Sequence, residues 1–241
     1  MTSRRRIALL AISAVAALAA IGVGLFQVSK ARCFSLVGEA ICRVETEQPL
    51  VALTFDDGPT AEGVAWATET LGRHGARGTF FLIGDTVERN APLVRRLVAD
   101  GHEIGNHSFS HVRMVGHGAA FYDSEIVRTD ALLRAAGAPR PTLFRPPYGK
   151  KLIGLPRALA RHDYRLIMWD VEDPQDAATP QEYARQMVDQ ARPGSILLIH
   201  LMYRSNGVAR EALPLIVEGL ARRGFRMVTV SELLRQERYR R

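Results

Sequence analysis

Two adjacent carboxylates, Asp56 and Asp57, stand at the end of an apolar run and directly before a Gly-Pro step in residues 53–60. Two like charges side by side are costly unless a cation, a proton or a strong hydrogen-bond donor separates their roles. The pair therefore suggests a metal ligand beside a general base. An Asp-Gly hairpin turn is the alternative, but residues 62–74 continue with helical spacing, whereas a hairpin needs a second strand at once.

Two of the seven histidines, His107 and His111, are four residues apart. Imidazoles at this spacing can bind one cation from a helix face or a curled loop, although paired surface histidines are also common. Together with Asp57 they form a set of two histidines and one carboxylate, which leaves an open position for water on zinc or a similar divalent ion. An open position on the metal indicates catalysis.

Four short motifs occur in an order that resembles a known enzyme family. They are TFDDG at residues 54–58, HSFSH at 107–111, RPPYG at 145–149 and LIH at 198–200. Their order and rough spacing resemble the polysaccharide deacetylase family, carbohydrate esterase family 4, over residues 48–234. Four ordered motifs are far more specific than one. The resemblance implies an irregular barrel of seven β/α units and a metal-dependent hydrolase.

The resemblance also implies a role for residues of the first three motifs. Asp57, His107 and His111 would bind a divalent metal, with Zn²⁺ expected first and Co²⁺, Mn²⁺ or Ni²⁺ as alternatives. Asp56 would be the general base that takes a proton from the attacking water. Arg145 would hold Asp56 in its ionised and correctly aimed state, a task suited to the fixed fork of guanidinium donors.

An acid and an oxyanion donor are implied by the same resemblance. His200 would protonate the leaving amine, which requires an acid that is charged near neutral pH. The backbone N–H of Tyr148 would help to stabilise the oxyanion. Trp169 ends the fifth predicted strand, where core packing is the simpler interpretation and lining of the substrate site is the functional one.

The chain departs from the family's pattern around this acid. The family commonly has an Asp-Trp pair after the fifth strand, whose Asp orients the acid histidine, whereas here Asp176 is followed by Ala at a slightly longer spacing. Asp176 is the first candidate for the partner of His200 because it lies nearest that position, with Asp173 and Asp170 as alternatives. The family also often has Asp directly after the histidine, where this chain has Leu201. These departures leave the identity of the substrate undetermined.

Apolar runs alternate with segments of helical spacing along residues 48–234. We expect strands at 50–55, 78–83, 103–106, 142–144, 164–169, 195–199 and 226–230. Helices are expected at 62–74, 86–99, 122–136, 152–162, 180–191 and 208–223. This alternation predicts an α/β fold with a parallel sheet, either an irregular (β/α)7 barrel or a doubly wound sheet. In both folds the carboxyl ends of the strands bring the candidate residues to one rim.

The formal net charge of +7 comes from the two ends of the chain. Residues 1–43 carry six Lys/Arg against one Asp/Glu, and residues 235–241 carry four against one, which leaves 22 against 23 between them. A nearly neutral domain argues against a nucleic-acid partner, and the basic tail is interpreted as a solvated helix end. No obligate protein partner is evident in the sequence.

The pattern of the amino-terminal region predicts a targeting or anchoring segment. Residues 1–6 form a basic flank, and residues 7–28 are uncharged and mostly apolar. As a helix they would span about 33 Å at ~1.5 Å per residue, enough for a bilayer core. We favour an uncleaved membrane anchor with the domain outside the cytoplasm over a cleaved signal peptide that would release a secreted chain. Cys33 and Cys42 lie in a stem at 29–47, where an oxidising compartment would favour a disulfide.

The leading hypothesis is that the domain at 48–234 removes N-acetyl groups from an amino-sugar polymer of the cell envelope. Peptidoglycan, a chitin-like glycan and an exopolysaccharide are the candidate substrates. One alternative is a related hydrolase of O-acetyl esters or small amides, and another is a non-catalytic, membrane-tethered glycan-binding domain. A binder has no use for a complete acid, base and metal set, which argues against the last alternative.

Overall fold

The computed structural model describes residues 3–236, with side chains from residue 10 onward. Helix α1, Ser3–Ser29, opens the chain, and its large apolar side chains are exposed. Among the described residues it is the one helix long and apolar enough to cross a membrane, a test that signal sequences also pass. The end of the predicted basic tail, residues 237–241, lies outside the described part of the chain.

One parallel sheet forms the centre of the domain. Its strands are β1 Ala40–Ile41, β2 Leu50–Asp56, β3 Gly78–Leu82, β4 Glu103–Asn106, β5 Leu143–Phe144, β6 Arg165–Ile167, β7 Ile196–His200 and β8 Arg226–Val228. The order is β1-β6-β5-β4-β3-β2-β7, and β8 also pairs with β2. The seven expected strands are present, whereas β1 was missed because two residues inside the predicted stem carry no readable periodicity.

Isolated bridges join the two ends of this strand order. Arg43, two residues after the end of β1, pairs with Ser195, and Val171, beyond β6, pairs with Leu197 of β7. The sheet therefore curls back on itself instead of ending in two free edges. This geometry confirms the irregular (β/α)7 barrel, and the doubly wound sheet is excluded.

Helices follow the strands and cover the outside of the sheet. They are α2 Ala61–Arg73, α3 Gly84–Ala99, α4 Ala119–Ala135, α5 Gly154–Arg161, α6 Pro180–Gln190, α7 Gly207–Arg222 and α8 Val230–Arg235. Three of them begin after a threonine whose hydroxyl accepts a backbone N–H of the first turn, at Thr60, Thr179 and Thr229. This cap satisfies a donor that the helix itself leaves unpaired.

Strand β2 is buried on both faces and divides the core into two layers. Val51, Leu53 and Phe55 pack in one apolar cluster with the helices, whereas Leu50 and Ala52 pack in the other. Alternate side chains of a strand point to opposite faces, so this strand is apolar throughout. This burial on both faces fixes the register of the central strand. Asp56, its last residue, is therefore held in a fixed position.

The predicted stem is integrated into the folded domain. Ile41, Cys42 and Val44 are buried in the second cluster. Cys33 and Cys42 are joined by a disulfide with their Cα atoms 5.4 Å apart. The chain that leaves α1 is therefore tied to the barrel by a covalent bond, a strand and apolar packing.

Candidate active site

The two aspartates leave β2 in different conformations. Asp56 is the last residue of the strand, and its register partners are Phe81 in β3 and His200 in β7. Asp57 follows with a φ of 74°, a left-handed conformation that is uncommon outside glycine. Both carboxylates are buried. The hairpin alternative is wrong, because helix α2 begins at Ala61.

Arg145, which follows β5, is fully buried and holds the first aspartate. Its Nη1 donates to Asp56 Oδ1 and to Thr54 Oγ1, each at 2.7 Å, and its Nη2 donates to the carbonyl of Met168 at 2.9 Å. The guanidinium lies over the ring of Phe81, 4.2 Å from its centroid. This arrangement fixes one oxygen of Asp56, because several groups determine the position of the guanidinium.

His107, His111 and Asp57 offer donor atoms that all lie within 4.8 Å of one another. The Nε2 atoms of His111 and His107 are 3.1 Å and 3.7 Å from Asp57 Oδ1. Nδ1 of His107 is 2.7 Å from the carbonyl oxygen of Arg145, so Nδ1 carries the proton and the lone pair of Nε2 faces the cluster. The same Nε2 is 3.7 Å from the second oxygen of Asp56, Oδ2.

The chemistry of this cluster fits a divalent cation. Two imidazole nitrogens and one carboxylate oxygen suit zinc and neighbouring transition ions. Oδ1 of Asp57 is buried and has no well-aligned hydrogen-bond donor, as a ligand atom would require. Burial by itself would raise the pKa of Asp57, but His111, His107 and His200 together hold it below its usual value. The carboxylate is therefore ionised, which metal binding needs.

The loop that carries the histidines is held by groups that the sequence analysis missed. Glu125 in α4 is buried and accepts the backbone N–H groups of Phe109 and Ser110, each at 2.9 Å. The hydroxyl of Ser108 accepts the N–H of His111 at 3.1 Å. Ser108 and His111 both have positive φ angles, 67° and 55°. The sequence offered one signal for this role of Glu125: it is a carboxylate on the face of α4 that is buried against the domain.

His200, the candidate acid, is the last residue of β7. Nδ1 of His200 is 2.9 Å from Oδ2 of Asp173. The choice of Asp176 as partner is corrected by this contact, because Asp176 is exposed three residues farther along the loop. Asp170 is engaged elsewhere, since it accepts the hydroxyl of Ser195 at 2.9 Å. The partner is thus the second of the three carboxylates considered.

The charge of His200 is set by burial and by its acidic neighbours. Burial by itself would lower its pKa, but the hydrogen bond to Asp173 and the charges of Asp173, Asp56 and Asp57 raise it to about 9. The imidazole is therefore charged at neutral pH. Its side chain is 31% exposed, so a ligand can reach it. A charged, accessible imidazole is what a general acid requires.

Tyr148 and Trp169 lie at different depths. Tyr148 adopts a φ of 57° and is 58% exposed, and the centroid of its ring is 4.9 Å from that of His111. Trp169 is 6% exposed and lies under the guanidinium of Arg145, 5.5 Å away. A Cβ atom added at Gly149 would come within 3.1 Å of the indole. Trp169 therefore supports the loop from below, whereas Tyr148 forms part of the rim.

Sequence comparisons identify relatives of this chain. The model of the family described as polysaccharide deacetylase matches residues 43–167. A peptidoglycan-N-acetylglucosamine deacetylase of Bacillus cereus is 32% identical over 201 residues, which cover 82% of this chain and 94% of that protein. A chitooligosaccharide deacetylase of Azorhizobium caulinodans is 31% identical over 205 residues, with coverage of 79% and 97%.

Solved structures with the same fold include a deacetylase and a pseudoenzyme. A peptidoglycan N-acetylglucosamine deacetylase in complex with a hydroxamate-type benzamide matches with a TM-score of 0.77 at 27% identity, covering 80% of this chain and 92% of that one. A family 4 pseudoenzyme from Bacillus anthracis matches with a TM-score of 0.75 at 25% identity, covering 81% and 69%. The family model, the curated relatives and the barrel with its rim of motif residues agree, and the chain belongs to the polysaccharide deacetylase family.

Proposed function

We propose that this chain is a metal-dependent deacetylase that removes N-acetyl groups from an amino-sugar polymer or oligomer of the cell envelope. One observation carries the proposal: a three-residue metal cluster, an aspartate held by an arginine, and a histidine held by an aspartate meet on one rim. Hydrolysis of an unactivated amide needs a polarised carbonyl, a base for water and an acid for the leaving amine. The metal cluster and the two pairs would each supply one of these functions.

Asp56 is the proposed base. Arg145 donates a charge-assisted hydrogen bond to its Oδ1, and Oδ2 lies toward the metal cluster, 3.7 Å from His107 Nε2. From there Oδ2 would accept the proton of the water that attacks the acetyl carbon. The divalent ion held by Asp57, His107 and His111 would supply polarisation of the carbonyl and a lowered pKa for that water.

His200 is the proposed acid. Asp173 accepts the proton on Nδ1, which leaves Nε2–H to be donated to the amide nitrogen as the C–N bond breaks. The backbone N–H of Tyr148 is proposed to stabilise the oxyanion, and the proximity of its residue to His111 supports that role. The products would be acetate and a sugar with a free amine.

The substrate class and the metal are part of the proposal. Named relatives are peptidoglycan N-acetylglucosamine, peptidoglycan N-acetylmuramic acid and chitooligosaccharide deacetylases. We therefore propose an N-acetylated glycan of β-linked amino sugars as substrate. Zinc is the proposed metal because two neutral imidazoles and one carboxylate with an open position are a typical catalytic zinc set.

Helix α1 is proposed to be an uncleaved membrane anchor. Its length and apolar composition, its basic amino end and the exposure of its large apolar side chains between Leu10 and Phe26 support this role. The Cys33–Cys42 disulfide supports an oxidising compartment outside the cytoplasm. The acetylated glycan and the membrane are thus the two proposed partners.

Acetate release from a panel of substrates tests the proposal. The full chain would be assayed with N-acetylchitotetraose, peptidoglycan fragments and acetylated xylan, before and after removal of metal by a chelator. We expect release from the two N-acetylated substrates, its loss with chelator and its return with added Zn²⁺. The Asp56→Asn variant is the matched inactive control.

Two other outcomes would favour the alternatives. Preferential release from acetylated xylan would indicate an O-acetyl esterase. Binding of the glycans without acetate release would indicate a non-catalytic domain, a result that the pseudoenzyme with the same fold makes worth testing.

A further inference from the structure

The carboxyl end of α1 lies against the catalytic rim. The backbone N–H of Lys151 donates to the carbonyl of Ser29 at 3.0 Å, and the ammonium of Lys151 donates to the carbonyl of Ala31. Arg32 forms an ion pair with Glu172 at 3.1 Å. Lys151 belongs to the loop after β5 and Glu172 to the loop after β6, and both loops carry site residues. The stem therefore crosses the rim that carries the site.

Helix α1 itself projects away from the barrel. No atoms lie within 4 Å of the Cβ positions of Gly22 and Gly24. The helix contacts the domain at Phe26, where the ammonium of Lys150 lies 5.0 Å from the centroid of the phenyl ring. The ammonium of Lys30, in the stem, lies 5.1 Å from the same centroid. If α1 spans a bilayer, the level of Phe26 is the level of the headgroups, because the apolar window ends at Ser29.

Cations and an exposed apolar side chain surround this point. The ammonium groups of Lys30 and Lys150 both lie beside the ring of Phe26, and burial together with the positive charges of Lys30 and Arg113 lowers the pKa of Lys150. The guanidinium of Arg113 also lies over the ring of Tyr148, 5.4 Å from its centroid. Val112, next to Arg113, is exposed. A mixture of cations and exposed apolar groups beside a membrane helix is typical of a surface that rests on anionic lipid.

We infer that the catalytic rim faces the bilayer, where Lys30, Arg113 and Lys150 contact anionic phospholipid headgroups, and that the substrate is an acetylated glycan still carried on a membrane lipid. This inference rests on the proposed anchor and the proposed deacetylase activity. The proposed headgroup contact lies close to the metal cluster. Lys150 is two residues from Tyr148 in sequence, and the ring of Tyr148 contacts that of His111. A glycan linked to a lipid in the same bilayer is presented to the rim at high effective concentration.

The test compares one sugar in two forms. The full chain is placed in vesicles of phosphatidylglycerol and phosphatidylcholine, and acetate release is measured from free N-acetylchitotetraose and from the same tetraose linked to a dialkylglycerol in the vesicle. The readout is the ratio of the lipid-linked rate to the free rate. A Gly-Ser insertion of about 16 residues between Gln27 and Val28 gives a mean reach of roughly 22 Å. It releases the rim from the bilayer and leaves the contacts of Lys151 with the stem in place.

We expect the insertion to lower the ratio about tenfold by reducing effective concentration. An unchanged ratio would overturn the inference, as would recovery of a chain that has lost residues 1–28. Absence of acetate release from the free tetraose in every form would count against the proposed function, so the two failures are distinguishable.

A charge variant tests the headgroup contact separately. Lys30→Ser combined with Lys150→Ser should lower the ratio in anionic vesicles toward its value in pure phosphatidylcholine. The matched control is Arg95→Ser combined with Arg96→Ser, two exposed cations near the end of α3 at the opposite rim, which should leave the ratio unchanged. Equal ratios in anionic and neutral vesicles for the unmodified chain would overturn the contact with anionic lipid.

Discussion

The metal side and the acid side of this site are held in different ways. On the metal side, Asp56, Arg145 and His107 are each at most 3% exposed, and hydrogen bonds connect them to one another and to neighbouring strands. On the acid side, His200 is 31% exposed and depends on one carboxylate, Asp173. The chain follows the family's motifs on the metal side and departs from them on the acid side.

This difference has a physical reason. Removing one partner of a buried charge network leaves the other charge without compensation in a poorly solvated place, which is strongly unfavourable. Substitutions on the metal side therefore change several groups together. A partly exposed histidine such as His200 can lose or exchange its partner at a smaller cost in free energy, because water compensates part of the lost interaction. We expect abrupt effects on the metal side and graded effects on the acid side.

The largest effect is expected for His107→Ala. Loss of this imidazole leaves two ligands, so bound metal should fall from about one ion per chain to near none. Turnover should fall to the level of the chelated enzyme. Metal analysis after dialysis checks this outcome, with His74→Ala, an exposed histidine at the end of α2, as the control. Full metal content in the His107 variant would contradict the ligand assignment.

A large effect with metal retained is expected for Asp56→Asn. The amide keeps an oxygen for Arg145 but cannot accept a proton from water, so kcat should fall about 10³-fold. Asp57→Asn is the paired variant, and it should weaken metal binding because this carboxylate is in the ligand cluster. Measuring kcat and metal content for both separates the two aspartates. Equal loss of metal in both would remove the distinction between base and ligand.

A graded effect on the pH profile is expected for Asp173→Asn. His200 must be protonated to act as an acid, so activity is lost as pH rises through its pKa, which is about 9 with Asp173 present. Without that carboxylate, burial lowers the pKa, and the basic limb should move to lower pH. The pH dependence of kcat checks the direction. Asp176→Asn is the control, and a shift in that variant alone would restore the choice made from the sequence.

The smallest effect is expected for Glu125→Gln. The glutamine retains one acceptor for the N–H groups of Phe109 and Ser110 but loses charge, so the histidine loop is held less firmly. Metal affinity should fall about tenfold, in the range for groups that support metal ligands. Competition with a metal chelator measures this change. Glu88→Gln on the exposed face of α3 should leave the affinity unchanged.

The fold and the metal side could be predicted from sequence for a common reason. Strands such as β2 and β7 are continuous apolar runs, and charged residues at their ends are conspicuous. In a parallel sheet those ends meet on one rim, so Asp57, His107 and His111 could be brought together without knowing any loop path. Each of these residues lies within a few positions of a strand end.

Other features depended on paths that carry no periodicity. Strand β1 is two residues long and was concealed within the stem. Glu125 is 15 residues from Ser110 in sequence and meets it only because α4 packs back over the histidine loop. The partner of His200 depended on the irregular segment after β6, where the bridge from Val171 to Leu197 fixes the direction of the chain.

The sequence by itself determined the alternation of strands and helices, the three residues of the candidate metal cluster, the pairing of Asp56 with Arg145, and the apolar helix at the amino end. Those features depend on local spacing and on the common direction of parallel strands. The tertiary structure decided that Asp173 rather than Asp176 contacts His200, that Glu125 holds the loop of His107 and His111, and that the stem crosses the rim of the candidate site. These contacts join residues far apart in the chain, and their geometry follows from the packing of loops and helices around the barrel, which no local pattern encodes.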